Sequence, residues 1–181
     1  HQNNYYDFTT NTYDKAGRLL RSTQPNGTDL VSEFKYNSLG QLLETTSPDE
    51  GTAQFKYRKD GQIRFSQNSK QAEANEYSYT NYDSLGRPVE SGVLAGDFST
   101  ANPEAADLPA GSRKEQHFTQ YDIHDLGLEA ILGNAGTYFR KQNFVAGNVS
   151  KTWTKTPVTN TTWYSYDVYG RVEWILQDIE G

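Results

Sequence analysis

The chain has no cysteine, and that excludes a disulfide scaffold and thiolate metal sites. Methionine is missing too, position 1 included, so the chain is expected to be a fragment of something longer or a processed product. Basic charge is scarce: 17 Lys and Arg stand against 23 Asp and Glu, for a net charge of −6. The longest basic run is Arg113-Lys114, which offers no electrostatic footprint for nucleic acid. No run of 18 apolar residues exists, so no helical membrane span is expected. Only 34% of the residues are apolar and the mean hydropathy is −0.85, a balance that approaches disordered chains. The aromatic residues argue against disorder. Thirteen Tyr, eight Phe and three Trp make 13% of the chain, and Tyr, Phe and Thr favour strands in which the ring packs and the hydroxyl reaches water.

Those tyrosines recur within one element, aromatic-Asp-x-x-Gly-Arg/Gln-aliphatic. Full copies are Tyr13-Asp14-Lys15-Ala16-Gly17-Arg18-Leu19, Tyr82-Asp83-Ser84-Leu85-Gly86-Arg87-Pro88 and Tyr166-Asp167-Val168-Tyr169-Gly170-Arg171-Val172. Degenerate copies are Tyr36-Asn37-Ser38-Leu39-Gly40-Gln41-Leu42 and Tyr57-Arg58-Lys59-Asp60-Gly61-Gln62-Ile63. A distorted sixth begins at Tyr121-Asp122 and places its glycine at Gly127, two residues late. The tyrosines at 13, 36, 57, 82, 121 and 166 are spaced by 23, 21, 25, 39 and 45 residues, so the period is near 23 and the last two steps carry insertions. Self-similarity at such a period is the mark of a repeat architecture. Gln24-Pro25-Asn26-Gly27 and Ser47-Pro48-Asp49-Glu50-Gly51 add a second turn signal after the first two copies.

An aspartate at the first turn position accepts backbone N–H bonds two residues on, and a glycine three residues later takes the left-handed conformation that returns the chain to a strand. Each copy is therefore a hairpin tip. Incoming strands such as Phe34-Lys35-Tyr36, Phe55-Lys56-Tyr57 and Tyr164-Ser165-Tyr166 alternate with period two. One hairpin cannot stand alone. Six side by side predict an all-β, antiparallel meander of roughly twelve strands, stabilised by aromatic pairs across strands, and so long an array twists and curls into a spiral, barrel or shell.

Three stretches are expected along this array: regular repeats over 1–91, an irregular loop insertion over 92–117, and degenerate repeats with a longer hairpin insertion over 118–181. Within the loop, Pro103-Glu104 is a helix start signal that allows a short helix over 103–108. The longer hairpin is expected between 137 and 162, with Tyr138-Phe139-Arg140 and Asn143-Phe144-Val145 before a turn at Ala146-Gly147-Asn148 and the alternating strand Val149 to Lys155 after it.

Little catalytic chemistry is on offer. His124 lies beside Asp122 and Asp125 without a third partner, and a turn is the better reading; His1 and His117 sit in no constellation. Pro48-Asp49-Glu50-Gly51 reads as a solvated turn. Phosphate loops and serine-nucleophile signatures are missing, and the sequons at Asn26, Asn148 and Asn160 carry weight only in a secreted eukaryotic protein. No catalytic residue, cofactor or metal is expected. Trp153, Trp163 and Trp174 are the best candidates to stack on a sugar ring, against the favoured reading that they pack within the sheet.

The repeated element resembles that of the Rhs/YD-repeat family, which includes polymorphic toxin shells, the C components of insecticidal toxin complexes and the teneurins. The resemblance covers about 5–90 and 115–177. The residues that carry it are Tyr13, Asp14, Gly17 and Arg18; Tyr36 and Gly40; Tyr57 and Gly61; Tyr82, Asp83, Gly86 and Arg87; Tyr121, Asp122 and Gly127; and Tyr166, Asp167, Gly170 and Arg171. It implies hairpins spiralling into a hollow shell that encloses a polypeptide in the toxin members, with this chain as one arc. The expected function is a non-catalytic structural segment of a secreted or surface protein, bacterial in origin, that encloses or scaffolds a polypeptide cargo. Its expected partners are neighbouring repeats of the same longer chain, the cargo and secretion machinery. The toxin members' Asp-Pro-x-Gly self-cleavage element does not occur in this sequence. The alternative is an adhesin-like surface module that binds glycan or protein.

Overall fold

The computed structural model describes residues 8–25, 30–128, 141–155 and 159–179. It contains twelve strands: β1 (Thr10–Tyr13), β2 (Leu19–Thr23), β3 (Val31–Tyr36), β4 (Leu42–Ser47), β5 (Gly51–Tyr57), β6 (Ile63–Gln67), β7 (Glu76–Tyr82), β8 (Pro88–Ala95), β9 (Arg113–Tyr121), β10 (Val149–Lys155), β11 (Asn160–Tyr166) and β12 (Val172–Ile179). They form an antiparallel open sheet in sequence order from β1 to β12. The expected all-β meander is the observed fold.

Every odd strand from β1 to β11 ends on a motif tyrosine, and the next strand starts at the motif's aliphatic position. The register shows why this is one device repeated. Tyr13 faces Leu19, Tyr36 faces Leu42, Tyr57 faces Ile63 and Tyr166 faces Val172. Just inside each pair the register slips by one residue, leaving Leu20, Leu43, Arg64 or Glu173 as the extra residue of a bulge. At the other ends, Ser47 faces Gly51 across the Pro48 turn, where Ser47 Oγ accepts the Glu50 N–H. The turn expected at Asn26-Gly27 lies outside the described residues.

Two compact units are distinguished along the chain. The first comprises His1–Tyr79 and Leu94–Ser112. Its core is Phe65, Tyr77, Tyr79, Leu94, Phe98 and Ala101, with Leu108 packed against them. Tyr77 takes Phe65 edge-on at 5.4 Å and Phe98 at 5.7 Å. Because Lys56 pairs with Phe65, and Phe65 with Tyr79, these side chains share one face. Alternation sends the motif residue Tyr57 to the other.

The segment expected as a loop over 92–117 contains the end of β8, to Ala95, and the start of β9, from Arg113. Between them the chain makes a 3-10 turn at Phe98–Thr100, capped by the Asp97 side chain on the Ser99 N–H. The short helix that the start signal allows over 103–108 does not form. Asn102 instead closes a turn on the N–H groups of Glu104 and Ala105, and the Glu104 carboxylate is spent on the Lys59 N–H. The helix that does form is α1 (Ser69–Glu73), with a capping box between Asn68 and Gln71.

The second unit comprises Thr80–Val93 and Arg113–Gly181. Buried here are Leu128, Val145, Trp163 and Tyr166, with Ser150 and Ser165 fully enclosed. The longer hairpin expected over 137–162 is corrected. Val149 to Lys155 pair with β9 on one side and β11 on the other, not with 143–145. Asn143 is bonded through its backbone to Ser165 Oγ and the Tyr166 N–H, and Phe144 has a positive φ of 49°, so this stretch crosses the strands rather than joining them. Tyr138, Phe139 and Arg140 lie outside the described residues.

Candidate functional site

The residues with the most chemistry are those at the hairpin tips. In the first tip, Asp14 Oδ1 accepts the N–H groups of Ala16 (2.8 Å) and Arg18 (2.9 Å), and Oδ2 accepts Arg18 Nε at 2.6 Å. Asp83 with Arg87 and Asp167 with Arg171 repeat this set, with Nε to Oδ2 at 2.8 and 2.7 Å. The Arg N–H, then the guanidinium and the second N–H, hold each of these carboxyls below its ordinary value. Gly17, Gly40, Gly61, Gly86 and Gly170 all sit at φ between 75° and 89°. In the second copy Asn37 takes both N–H bonds on Oδ1 and hands its amide to Gln41. In the third, Arg58 forms an ion pair with Asp60, and Asp60 rather than position 58 accepts the Gln62 N–H.

The tips at Asp14, Asn37, Asp83 and Asp122 also reach the next hairpin. Continuing the β2–β3 register puts Tyr36 opposite Arg18, and the same step puts Tyr57 opposite Gln41 and Tyr166 opposite Asn148. Arg18 lies over the Tyr36 ring at 5.1 Å and donates Nη1 to the Asn37 carbonyl at 3.1 Å. Arg87 lies over Tyr121 at 4.2 Å and grips Asp122 with both Nη atoms, at 3.3 and 2.5 Å. That grip, followed by the Gly147 N–H, pulls the Asp122 carboxyl down, and the two aspartates push Arg87 up. The tyrosine hydroxyl closes the junction. Tyr57 donates to the Leu42 carbonyl (2.8 Å), Tyr121 to Pro88 (3.1 Å) and Tyr166 to Val149 (2.8 Å), in each case the aliphatic position of the preceding repeat. One arginine therefore fixes its own turn and the tyrosine of the next.

The sixth copy corrects the expected glycine. Gly127 is not at positive φ, and its N–H goes to Asp125. Gly147 is the turn glycine: φ is 79°, its N–H reaches Asp122 Oδ1 at 2.6 Å, and the Asp122 N–H reaches the Asn148 carbonyl. Val149 faces Tyr121, with Ser150 as the bulge residue. The sixth copy is thus an ordinary hairpin with its tip opened between Asp122 and Gly147. Twenty-seven residues separate Tyr121 from Val149, where five separate Tyr13 from Leu19. The available signal was Gly147-Asn148-Val149, which matches Gly-x-aliphatic.

The chain inserted in that tip replaces the missing arginine at the next junction. Gln142 is buried, and its amide donates to the carbonyls of Ser150 (2.6 Å) on β10 and Tyr164 (2.9 Å) on β11. Burial pushes the Asp125 carboxyl up, but Lys151 Nζ at 2.8 Å, Trp163 Nε1 at 2.7 Å and the Gly127 N–H outweigh it. Asp122 and Asp125 are thereby committed to the fold and His124 is exposed. No cluster with metal-ligand geometry exists among the described residues.

The tryptophans are in three different situations. Trp163 is 2% exposed and bonded to Asp125. Trp153 stacks on Phe118 at 4.9 Å, with Lys151 on its ring, and borders a groove of about 390 Å³ with Asp83, Arg87, Tyr121 and Asp122. Trp174 is half-buried, facing Ser165.

Residues 13–52 match the RHS repeat family model, which covers the first two tips and the turn between them. Comparison with curated proteins returned no match. Among solved structures, a crystal structure described as TcdB2-TccC3-TEV superposes with a TM-score of 0.54 at 16% identity, over 94% of this chain and 8% of that one. A Tc holotoxin pore of Photorhabdus luminescens carrying a TccC3 mutation gives 0.43 at 13%, over 96% and 11%, and a crystal structure of TcdB2-TccC3 gives 0.42 at 14%, over 95% and 11%. The likeness of fold rests on the first. This chain spans about a tenth or less of those chains. The resemblance to Rhs/YD-repeat proteins inferred from the tyrosine–aspartate motif is borne out by the repeat match and by the fold.

Proposed function

We propose that this chain, an array of Rhs/YD-type hairpins, is a non-catalytic length of β-sheet wall in a secreted or surface protein, and that the complete wall encloses or scaffolds a polypeptide. The observation that carries this is the junction. Arg18 and Arg87, the hydroxyls of Tyr57, Tyr121 and Tyr166, and the turn carboxylates of Asp14, Asp83, Asp122 and Asp167 are spent on closing the turns and joining hairpins, which leaves them unavailable for a substrate. Both insertions are likewise fastened to strands of their own unit, through Lys56 and through Gln142. A structure with such couplings is suited to being long and closed rather than to turning over a ligand. The superposition on a TcdB2–TccC3 complex supports a place in a toxin-type shell. Bacterial secretion and an enclosed cargo are part of this proposal.

Cryo-electron microscopy of the full-length polypeptide tests it. The expected result is this sheet continued by further strands around density of a separate, enclosed polypeptide. A free-standing module with solvent on both faces overturns it. The groove beside Trp153 favours one second reading, a surface module that stacks a sugar ring there. Glycan-array binding abolished by Trp153→Ala would select that reading.

A further inference from the structure

The two faces of the first unit's sheet divide its charge. Phe34 pairs with Thr45, Thr45 with Ala53, and Phe55 with Ser66, which places these side chains on one face with Tyr36 and Tyr57. From β2 to β6 every paired position on that face is uncharged, and Arg18 reaches it only at its rim, over the Tyr36 ring. The opposite face carries Arg21, Glu33, Lys35, Glu44 and Lys56. Leu94–Ser112 is anchored on this charged face, through Lys56 and through Phe98 in the cluster with Phe65 and Tyr79. Phe65 and Tyr79 are buried there, whereas Phe34, Tyr36, Phe55 and Tyr57 are only half-buried and stay open to a partner.

Resting on the wall reading, we infer that the uncharged face is the inner lining, and that the enclosed polypeptide lies against it as an extended, unfolded chain. Charge decides the side. Like charges across a contact repel and opposite charges hold, so a charged lining would sort segments of the cargo by their sequence. Rings and hydroxyls do not. Ring faces take apolar and cationic side chains alike. Serine and threonine hydroxyls both donate and accept, which suits a chain whose backbone N–H and C=O groups are not paired within itself. In this orientation Leu94–Ser112 stands on the outer side, where it takes no room from the enclosed chain.

Photo-crosslinking in the full-length polypeptide provides the test, with p-benzoylphenylalanine in place of Phe55 or Phe34 on the uncharged face, or of Lys35 on the charged one. The expected result is crosslinks from positions 55 and 34 to peptides outside the repeat wall, lost when the protein is unfolded in denaturant before irradiation, and none from position 35. The Lys35 side chain is 67% exposed, so exposure alone would favour the opposite pattern. Unchanged circular dichroism shows that the new ring is accommodated, and the two aromatic positions keep the test open if one replacement disturbs the fold. Crosslinks from position 35 alone, from both faces, or from neither overturn the inference. Crosslinks from position 35 alone would leave the wall reading standing, whereas a reconstruction with no enclosed polypeptide removes that reading itself.

Discussion

At the scale of single residues, what distinguishes this chain is the division of labour within four positions. Aspartate closes the turn, glycine supplies a left-handed backbone, arginine braces the aspartate, and the next tyrosine reads the arginine. The sixth copy separates these roles cleanly, because two glycines compete for one of them. Gly147 holds φ at 79° with nothing near a would-be Cβ, so Gly147→Ala carries only the cost of a left-handed alanine, about 1 kcal/mol. Gly127 has ordinary backbone, and its would-be Cβ meets only the Asp125 side chain, at 3.2 Å. Gly127→Ala should therefore cost clearly less. Thermal unfolding of the two variants decides the assignment, and equal or reversed costs would return the turn to Gly127.

At the scale of elements, the hairpins carry their own turn chemistry, whereas the insertions are held by residues of the strands. The first insertion is fixed by Lys56, whose Nζ donates to the carbonyls of Phe98 (2.6 Å), Ser99 (3.0 Å) and Ala101 (2.8 Å) and lies over the Phe98 ring. Burial pulls this amine down from its ordinary value, and the Asp97 charge resists. Lys56→Met keeps the stem but leaves three carbonyls without their donor, at roughly 2 kcal/mol. Lys35→Met removes a surface pair with Glu44 and should cost about 0.5 kcal/mol or less. Hydrogen exchange should rise across 98–108 in the first variant alone; a uniform rise over β5 and β6 would mean that Lys56 supports the sheet and not the insertion. Much of this architecture was legible in the amino acids. The tip motif predicts hairpins, and the period predicts their order. Less legible was where an insertion enters. The step from Tyr82 to Tyr121 is lengthened between β8 and β9, but the step from Tyr121 to Tyr166 is lengthened inside a tip, and local spacing draws the eye to Gly127 rather than to Gly147. A turn closed by residues twenty-five apart leaves no local pattern. The core of the first unit was hidden for a different reason: Phe98 and Leu108 belong to a stretch rich in Ala, Pro and Asp, and only packing against Tyr77 reveals them as apolar anchors.

At the scale of the whole molecule, both units depend on the same class of ionised group, and acid should test them together. Asp14 in the first unit and Asp83 and Asp167 in the second are held below the ordinary value of 3.8, first by the arginine N–H of their own turn and then by its guanidinium. Asp122 is held down first by Arg87. A carboxyl depressed in the folded state contributes stability that is present above its unfolded pKa and is lost as pH falls through the folded one. The clamps should thus be at full strength at neutral pH and fail progressively below about pH 4. Each clamp is solvent-screened and small by itself, so the effect is a shared slope rather than a single step. Asparagine separates the turn from the charge. Asn37 already makes both backbone bonds without a charge, so the triple variant Asp14→Asn, Asp83→Asn and Asp167→Asn should keep its strands while losing the titration. Melting temperature followed by circular dichroism from pH 7 to pH 3 is expected to fall steeply in the acid limb of the wild type and less steeply in the triple variant. Identical acid limbs would place the pH-sensitive charges elsewhere and reduce the repeated aspartates to hydrogen-bond acceptors that happen to be ionised.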